Sequence, residues 1–397
     1  LNLSGNALSS LPEDLHRLTR LRILFCSDNR FSEVPACLGQ CLQLSMIGFK
    51  ANRIERVPAA ALPPQLRWLI LTDNRIAELP EELGQRPLLQ KLMLAGNRLT
   101  RLPESLGQCH RLELLRIAAN RLTELPPFLL ALPRLTWLAY AGNPLESEAD
   151  ATALASTPSI PWSELTLEQR LGEGASGVIH QAQWQPAGQP PRAVAVKLYK
   201  GEMTSDGSPL HEMNACISAG LHPNLIRVEG RILDHPQGQN GLVMQLIDKS
   251  FANLAALPSL DSCSRDIYPD DTRFNADVTL GIARGIASVG AHLHAQGITH
   301  GDLYGHNTLW NAQGDCLLGD FGAASFHAQD DTVQSRALQR LEVRAFGILL
   351  EELLERGDGS LSLGQQQKLA ALVQRCCQPE VLARPGFTQV CEELAGL

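Results

Sequence analysis

The sequence predicts two units of different fold class: an α/β solenoid of short repeats, then a domain that opens with β-strands. The first unit is indicated by an asparagine that recurs every 22 or 23 residues through about residue 145. This period stops at 146–162, a stretch rich in Ser, Thr, Pro and small residues that we interpret as a cap and linker. Beyond it, strand-like stretches flank a glycine-rich turn between Gly172 and Gly177.

Each repeat carries the frame L-x-x-L-x-L-x-x-N-x-L-x-x-L-P. The L-x-L alternation predicts a short strand with one face inward, and stacked repeats bury that face beneath a parallel sheet. The asparagine is expected to bond backbone groups where the chain leaves the strand. The pattern resembles the leucine-rich repeat family over 1–145, in seven copies of which the first and last are incomplete. Because the chain begins inside a repeat, we expect residues before Leu1. The asparagines are Asn6, Asn29, Asn52, Asn74, Asn97, Asn120 and Asn143.

The side chains that point outward from the predicted strands form an unusually apolar and aromatic concave face. Clustered apolar surface is typical of a binding site. We therefore expect this face to bind a protein substrate or regulator. The alternative is that the second domain, or repeats missing from this chain, cover it. The outward positions are Phe25, Met46, Trp68, Ile70, Lys91, Met93, Leu114, Arg116 and Trp137.

The second unit contains a series of motifs that are weak singly and specific together. A strand and a turn follow the glycine-rich loop, whereas a dinucleotide-binding fold would place a helix there. The set resembles the eukaryotic-type protein kinase family over 163–397. The resemblance implies an α+β fold of two lobes, an N-lobe at 163–247 and a C-lobe at 248–397, with a shortened activation segment. The motifs are Gly172-Glu173-Gly174-Ala175-Ser176-Gly177, Lys197, Glu212, His222-Pro223-Asn224, His300-Gly301-Asp302, Asn307, Asp320-Phe321-Gly322 and Arg384-Pro385.

The resemblance implies catalytic roles for five of these residues. Lys197, oriented by an ion pair with Glu212, would hold the α- and β-phosphates of ATP. Asp302 would orient the attacking hydroxyl and accept its proton. Asn307 and Asp320 would hold Mg²⁺, with Mn²⁺ as an alternative ion, because such hard cations prefer oxygen ligands.

The resemblance also implies a nucleotide site between the lobes. Glu202 is the rival to Glu212, which we prefer because its spacing to His222 fits one helix followed by a loop. The glycines of the loop would let backbone N–H groups approach the phosphates closely, and a set of apolar residues and the hinge would hold adenine. The expected nucleotide contacts are Gly172, Gly174, Gly177, Ile179, Ala195, Lys197, Met244, Gln245, Leu246, Ile247 and Leu309.

The second unit departs from the family at several positions. Gly301 replaces an arginine that in many kinases binds a phosphate on the activation segment. Only 19 residues separate Gly322 from Glu342, and no Ala-Pro-Glu motif occurs there, so Arg384 lacks its usual partner. Tyr304 stands where serine/threonine kinases have a lysine that neutralises the transferred phosphoryl group. We therefore expect slow chemistry, unless Tyr304 only packs locally.

Three functions fit these motifs. The first is an ATP-dependent protein kinase that acts on a Ser or Thr hydroxyl, with the repeats recruiting a substrate or regulator; a rival role for the repeats is inhibition of the kinase. The second is a pseudokinase that serves as a nucleotide-binding scaffold. The third is a small-molecule phosphotransferase, a class in which His-Gly-Asp also occurs.

Composition narrows the partners. The net charge is −8, from +2 over residues 1–150 and −10 over the rest, so neither half is basic enough to predict nucleic-acid binding. No apolar run approaches the length that spans a bilayer. The ten cysteines show no CxxC pair, which predicts free thiols and a cytoplasmic location, in a host cell if the protein is exported. The oligomeric state stays open.

Overall fold

The structure, a computed structural model, describes residues 1–145, 157–201, 203–330 and 332–397. Most of the predicted cap and linker at 146–162 therefore lies outside the described residues. Its last part forms β7 (Ser159–Pro161), which pairs in parallel with a strand of the second domain. In the described part of the chain, no helix combines the length and apolar character that a bilayer span requires.

Residues 1–145, which we call the repeat array, form a sheet of six parallel strands in chain order. Each strand pairs in register with the next, as Leu69 does with Leu92. A short 3₁₀ turn or helix follows each of the first five prolines that close a repeat, and α1 (Pro127–Leu130) follows the last. The strands are β1 (Ile23–Phe25), β2 (Met46–Gly48), β3 (Trp68–Ile70), β4 (Lys91–Met93), β5 (Leu114–Arg116) and β6 (Trp137–Ala139).

The asparagine ladder connects neighbouring repeats. The Asn97 side-chain nitrogen donates to the carbonyls of Leu71 and Leu94, both at 2.9 Å, and its oxygen accepts from the Ile76 N–H at 3.0 Å. Asn97 is buried, so these bonds satisfy backbone groups that would otherwise be orphaned between repeats. The side chain therefore has the backbone-bonding role that the sequence predicts for it.

The second domain begins with a six-stranded sheet in the order β7-β11-β12-β10-β9-β8. Its strands are mostly antiparallel, with the β7–β11 pair as the parallel exception. One helix, α2 (Pro209–Ser218), follows β10 and begins at Ser208, whose side chain accepts from the Leu210 N–H. The other strands are β8 (Leu165–Glu173), β9 (Gly177–Trp184), β10 (Arg192–Tyr199), β11 (Val228–Leu233) and β12 (Gly241–Gln245).

The rest of the second domain is mainly helical. Four helices form its frame, and two small sheets hold the loops that carry the candidate site. The helices are α3 (Ala276–Ala295), α4 (Val333–Glu355), α5 (Leu363–Cys376) and α6 (Phe387–Ala395). The strands are β13 (Ala252–Asn253), β14 (Ile298–Thr299), β15 (Thr308–Trp310), β16 (Cys316–Leu318) and β17 (Ser325–Phe326).

The repeat array and the second domain share their hydrophobic cores. Leu338 and Leu341 of α4 belong to the core that the repeats build. In the other direction, Met93, Leu114 and Trp137 on the concave face belong to the core of the second domain. Burial of this apolar surface on both sides stabilises the contact between the domains.

The expectation of an open concave face is therefore corrected at its centre. At the centre the second domain covers the face, as the alternative predicted. The covered residues, all buried, are Met93, Leu114, Arg116 and Trp137. Trp68 and Ile70 also pack against the core of the second domain but are only half-buried. Of the remaining outward residues, Met46 is buried, and Phe25 and Lys91 are half-buried.

One buried carboxyl group in α4 is expected to make stability depend on pH. Glu352 is 8% exposed and accepts a hydrogen bond from the Tyr268 hydroxyl at 3.0 Å. Burial, together with the charge of Asp266, raises its pKa from the ordinary 4.5 to about 7. The native state therefore holds this proton more tightly than the unfolded chain, so ionisation of Glu352 destabilises the fold as pH rises from about 4.5 towards 7.

We expect Glu352→Gln to raise the melting temperature at pH 8 by about 2 °C or more, because the amide removes the buried charge and keeps an oxygen for Tyr268. The gain should shrink as the pH falls to 5, since Glu352 is then mostly protonated in the native state. Thermal melts of wild type and variant across this range measure it. Glu351→Gln, at an exposed position, is the control and should show no such trend. A difference that does not change with pH would contradict the prediction.

Candidate functional site

The first feature of the site is an ion pair between the sheet and the helix beside it. Lys197 on β10 donates through Nζ to Glu212 Oε1 in the first turn of α2. Both side chains are largely buried, at 13% and 2% exposed. Burial opposes the charge of Lys197, but the Glu212 and Asp320 carboxylates outweigh it and raise the pKa of Lys197 above its ordinary value. Lys197 therefore stays charged. The rival residue Glu202 lies outside the described residues.

The glycine-rich turn joins β8 to β9 above this pair. The Gly174 N–H donates to the Gly177 carbonyl at 2.9 Å, which closes the turn. A β-carbon on Gly177 would lie 2.5 Å from the Leu198 carbonyl oxygen, so the position requires glycine. At Gly172 and Gly174 a β-carbon would meet nothing within 4 Å. The space next to this part of the turn is therefore open.

A cavity of about 90 Å³ lies between the sheet, α2 and the loop after β16. Its wall includes five of the predicted residues, which the structure thus brings together. The wall does not include Ala195, which lies buried opposite Met244 on the neighbouring strand, or four other expected adenine contacts. The predicted residues in the wall are Ile179, Lys197, Glu212, Met244 and Asp320. The expected adenine contacts outside it are Ala195, Gln245, Leu246, Ile247 and Leu309, and the predicted residues Gly172, Gly174, Gly177, Asp302 and Asn307 also lie outside it.

The loop after β14 carries Asp302 and Asn307. The Asn307 side-chain nitrogen donates to Asp302 at two points, the carboxylate Oδ2 and the backbone carbonyl, both at 2.9 Å. The neighbouring His300 is fully buried and shares a hydrogen bond of 2.9 Å with the Gly319 carbonyl. These bonds fix the loop against the segment that carries Asp320. Asp302 itself is 18% exposed, so its carboxylate remains in reach of a ligand.

The residues expected to hold Mg²⁺ have suitable donor atoms. Asp320 is exposed, and its backbone lies in the left-handed region at a φ of 55°. Its Oδ1 accepts from the Gly322 N–H at 3.2 Å. Asn307 donates through its nitrogen, which leaves its amide oxygen for a cation. Among the described residues, no group of three or more His, Cys, Asp or Glu side chains forms a metal site. A magnesium ion here would therefore complete its shell with phosphate and water oxygens.

An arginine from the repeat array reaches the same loop. Arg116 on β5 donates from Nη2 to Asp302 Oδ1, from Nη1 to the Gly301 carbonyl at 3.0 Å, and from Nε to Asp206 Oδ1 at 2.6 Å. Its side chain is only 2% exposed. Burial would raise the pKa of Asp302, but Arg116, together with His306 and His300, holds it below its ordinary value. Asp302 is therefore ionised near neutral pH.

Tyr304 packs against the repeat array. Its ring stacks on Trp137, with centroids 4.2 Å apart and planes 8° from parallel, and lies against His306 on the other side. The Trp137 indole N–H donates to the Leu303 carbonyl at 3.0 Å. Burial and the nearby Asp302 raise the pKa of Tyr304 well above its ordinary value. Tyr304 is therefore a neutral residue held by packing, which is the local role that the sequence analysis left open.

Gly301 occurs where β6 of the repeat array approaches the loop. Its φ is 70°, and a β-carbon there would lie 2.4 Å from the Ala323 carbonyl oxygen and 2.8 Å from that of Leu138. Leu138 belongs to β6 of the array. A side chain such as the arginine of many kinases has no room at this position.

Further polar contacts extend the interface beyond the loop. The Tyr140 hydroxyl donates to the Phe326 carbonyl at 2.9 Å, and the Tyr140 N–H donates to Ser325 Oγ at 3.0 Å. Arg384, which is buried, donates to the carbonyl of Pro133 in the array at 2.9 Å. The array thus supplies a partner to the arginine whose usual partner is absent from the sequence.

Sequence reasoning missed the contacts of Arg116, Trp137 and Asp206 with the loop. Arg116 and Trp137 appeared only as members of the concave face, and Asp206 was not selected at all. One signal was available: Arg116 and Lys91 are the charged residues among the outward strand positions, and a charge in an apolar face calls for a specific partner.

Comparison with known proteins gives two family matches. The family described as protein tyrosine and serine/threonine kinase matches residues 165–348, and the leucine-rich repeat family matches residues 64–122.

Individual relatives match less than half of the chain. Human ephrin type-B receptor 4 is 28% identical over 189 residues, which is 47% of this chain and 18% of the receptor. Serine/threonine-protein kinase PkaA of Streptomyces coelicolor is 32% identical over 182 residues, 41% of this chain and 30% of that protein. Serine/threonine-protein kinase mos of Gallus gallus is 28% identical over 185 residues, which is 42% of this chain and 49% of that protein. The chain thus spans less than half the length of each of these relatives.

We expect Gly301→Ala to destabilise the protein by about 3 kcal/mol, because the methyl group combines a strained left-handed φ with overlap against two carbonyl oxygens. For a chain of this size the melting temperature should fall by about 4 °C. Gly238→Ala is the matched control, since Gly238 has a φ of 67° and nothing within 4 Å of a built β-carbon. Equal losses in the two variants would show that the array does not crowd Gly301.

Proposed function

Since the chain joins leucine-rich repeats to a protein kinase domain, we propose that it transfers the γ-phosphoryl group of Mg-ATP to a protein hydroxyl. The observation that carries the proposal is the arrangement around one cleft. The Lys197–Glu212 ion pair and Asp320 line this cleft. The loop that carries Asp302 and Asn307 is joined to the segment before Asp320, because the Gly319 N–H donates to the Asn307 carbonyl at 3.0 Å. Phosphoryl transfer depends mainly on such positioning and on neutralisation of charge.

Each residue then has a defined task. The charged Lys197 holds the α- and β-phosphates, and Glu212 keeps its ammonium group aimed at them. The open glycine-rich turn offers backbone N–H groups to the phosphates. Bound Mg²⁺, or Mn²⁺, would neutralise phosphate charge, with Asn307 and Asp320 as its protein ligands.

The transfer step balances with Asp302 as the proton acceptor. The substrate hydroxyl oxygen forms a bond to the γ-phosphorus as the bond from that phosphorus to the β–γ bridging oxygen breaks. ADP leaves with the bridging oxygen, and the hydroxyl proton passes to Asp302. The low pKa of Asp302 suits it to orient the hydroxyl and to take the proton late in the step.

A protein hydroxyl is favoured over a small-molecule substrate by the family match at 165–348 and by the protein kinases among the relatives. We propose Ser or Thr as the acceptor. Recruitment by the repeats would use surfaces that the kinase domain leaves uncovered, such as the half-buried Phe25 at the amino-terminal end of the concave face. A nucleotide-binding scaffold and a small-molecule phosphotransferase remain the other outcomes of the test.

We expect wild-type protein incubated with Mg-ATP and a generic acceptor protein such as casein to transfer phosphate to protein, detected by intact-mass spectrometry. Asp302→Asn should slow the transfer about 100-fold or more, because the amide cannot accept the hydroxyl proton. Lys197→Met should slow it to a similar extent, because the cation that holds the phosphates is lost. Asp271→Asn is the control, because Asp271 is an exposed acid outside the motifs, and this variant should keep wild-type activity.

The outcomes separate the three functions. Phosphate on protein that disappears in both active-site variants supports the proposal. Binding of Mg-ATP without any transfer would favour the scaffold. Transfer that occurs only when a metabolite is added would favour the small-molecule enzyme.

A further inference from the structure

We infer that Arg116 of the repeat array is a positioning residue for Asp302, which makes the array a working part of the catalytic centre. The inference rests on the proposed kinase function and deepens it. A repeat array that only recruits a partner would contact the kinase domain at its margin. Here a side chain of the array donates directly to the carboxylate proposed to receive the substrate proton.

The first argument is the way Arg116 is bound. Its guanidinium uses three different nitrogens on three acceptors, the Asp302 and Asp206 carboxylates and the Gly301 carbonyl. Planar guanidinium groups are well suited to such fixed, multiple hydrogen bonds. Because the group is almost completely buried, the charge is stable only while these partners stay in place. The catalytic loop and the array therefore hold each other in one geometry.

The second argument is what this geometry leaves for a substrate. Arg116 occupies Asp302 Oδ1 and Asn307 occupies Oδ2, so the plane of the carboxylate is fixed from both sides. An ionised carboxylate offers about four acceptor sites, so two donors do not exhaust it. Asp302 can still accept the hydrogen of a hydroxyl while its orientation is held. Bonds of this kind place the acceptor at a defined point, which is what the transfer step requires.

The third argument concerns charge beside the reacting group. Tyr304 is neutral and buried, so the loop itself lacks the cation that the family resemblance leads one to expect there. Arg116 brings a permanent positive charge to the neighbouring carboxylate from a different domain. The array thus provides a permanent cation beside a loop that has no lysine or arginine of its own, only the histidines His300 and His306.

The fourth argument is that the docked array accompanies an assembled nucleotide site. Asp206, the other carboxylate that Arg116 binds, lies just before α2, and a β-carbon on Gly207 would be 3.2 Å from that of Ala118 in the array. The first turn of α2 carries Glu212, which is paired with Lys197 while these contacts are made. A docking mode that inhibited through α2 would separate this pair. The array instead contacts the approach to α2 in the state that phosphoryl transfer needs.

The rival reading is that Arg116 blocks Asp302 and keeps the kinase inactive until the array moves away. For every substitution of Arg116, it predicts a change in kinase activity opposite to the one that we predict. Loss of the guanidinium would raise activity under the rival reading and lower it under ours. The sign of one measurement therefore decides between them.

The experiment compares the full chain and its variants by kcat, by KM for ATP and by thermal melts. We expect Arg116→Gln to lower kcat about 10- to 100-fold with KM for ATP changed less than about 3-fold, because nucleotide contacts remain and only Asp302 is misplaced. Arg116→Lys should recover part of the loss, since it restores a charge without the three-way geometry. Arg98→Gln, at the exposed position that follows a ladder asparagine, is the control.

Arg116→Gln removes the cation from two neighbouring carboxylates, which destabilises the interface on that account alone, so Arg116→Gln with Asp206→Asn is made in parallel. A folded double variant with low kcat supports the inference. A kcat at or above the wild-type value in any folded Arg116 variant overturns it, as does a failure of Arg116→Lys to exceed Arg116→Gln. Absence of phosphate transfer from the wild type and from every folded Arg116 variant would instead refute the proposed function.

Discussion

The buried guanidinium of Arg116 is the contact on which the relation between the two domains depends. The side chain of Arg116 is only 2% exposed, so its charge is stable only with its partners in place. These partners are the loop that carries Asp302 and the segment before α2. The array must therefore stay docked for the charge to be satisfied. Burial of the apolar side chains of Trp137 and Leu114 also stabilises the contact between the domains, but it does not require one orientation. The hydrogen bonds of Arg116 do require one, so they fix the position of the array against the second domain.

The positions at which the second domain departs from the protein kinase motifs are positions that meet the array. Gly301 gives room to the Leu138 carbonyl, Tyr304 stacks on Trp137, and Arg384 donates to the Pro133 carbonyl. Each departure, seen in the kinase sequence alone, suggests a weakened enzyme. In the structure, each of these residues contacts a residue of the array. The short stretch between Gly322 and Glu342 fits the same account, because Tyr140 of the last repeats donates there to the Ser325 hydroxyl and to the Phe326 carbonyl.

Sequence patterns predicted what depends on local periodicity and fixed spacing. The asparagine and leucine period located the parallel strands of the array, and the spacing from Glu212 to His222 selected the helix that pairs with Lys197. The face of the kinase domain that meets the array could not be predicted, because docking of two domains depends on surface shape and on side chains more than 180 residues apart, as Arg116 and Asp302 are. The strand Ser159–Pro161 was placed in the linker for a related reason, since its pairing partner is distant in the chain.

The most direct test of the account is the activity of a chain whose domains are locked together. Ala118→Cys with Gly207→Cys places two thiols on β-carbons about 3.2 Å apart, close to the separation of about 3.5–4.5 Å in disulfides. The measurement is the rate of phosphate transfer by the oxidised and the reduced forms, with both single variants as controls. If the array is part of the catalytic centre, the locked form keeps at least half the rate of the reduced form. A locked form that is inactive and recovers on reduction would show that the array must leave Asp302 for the kinase to work.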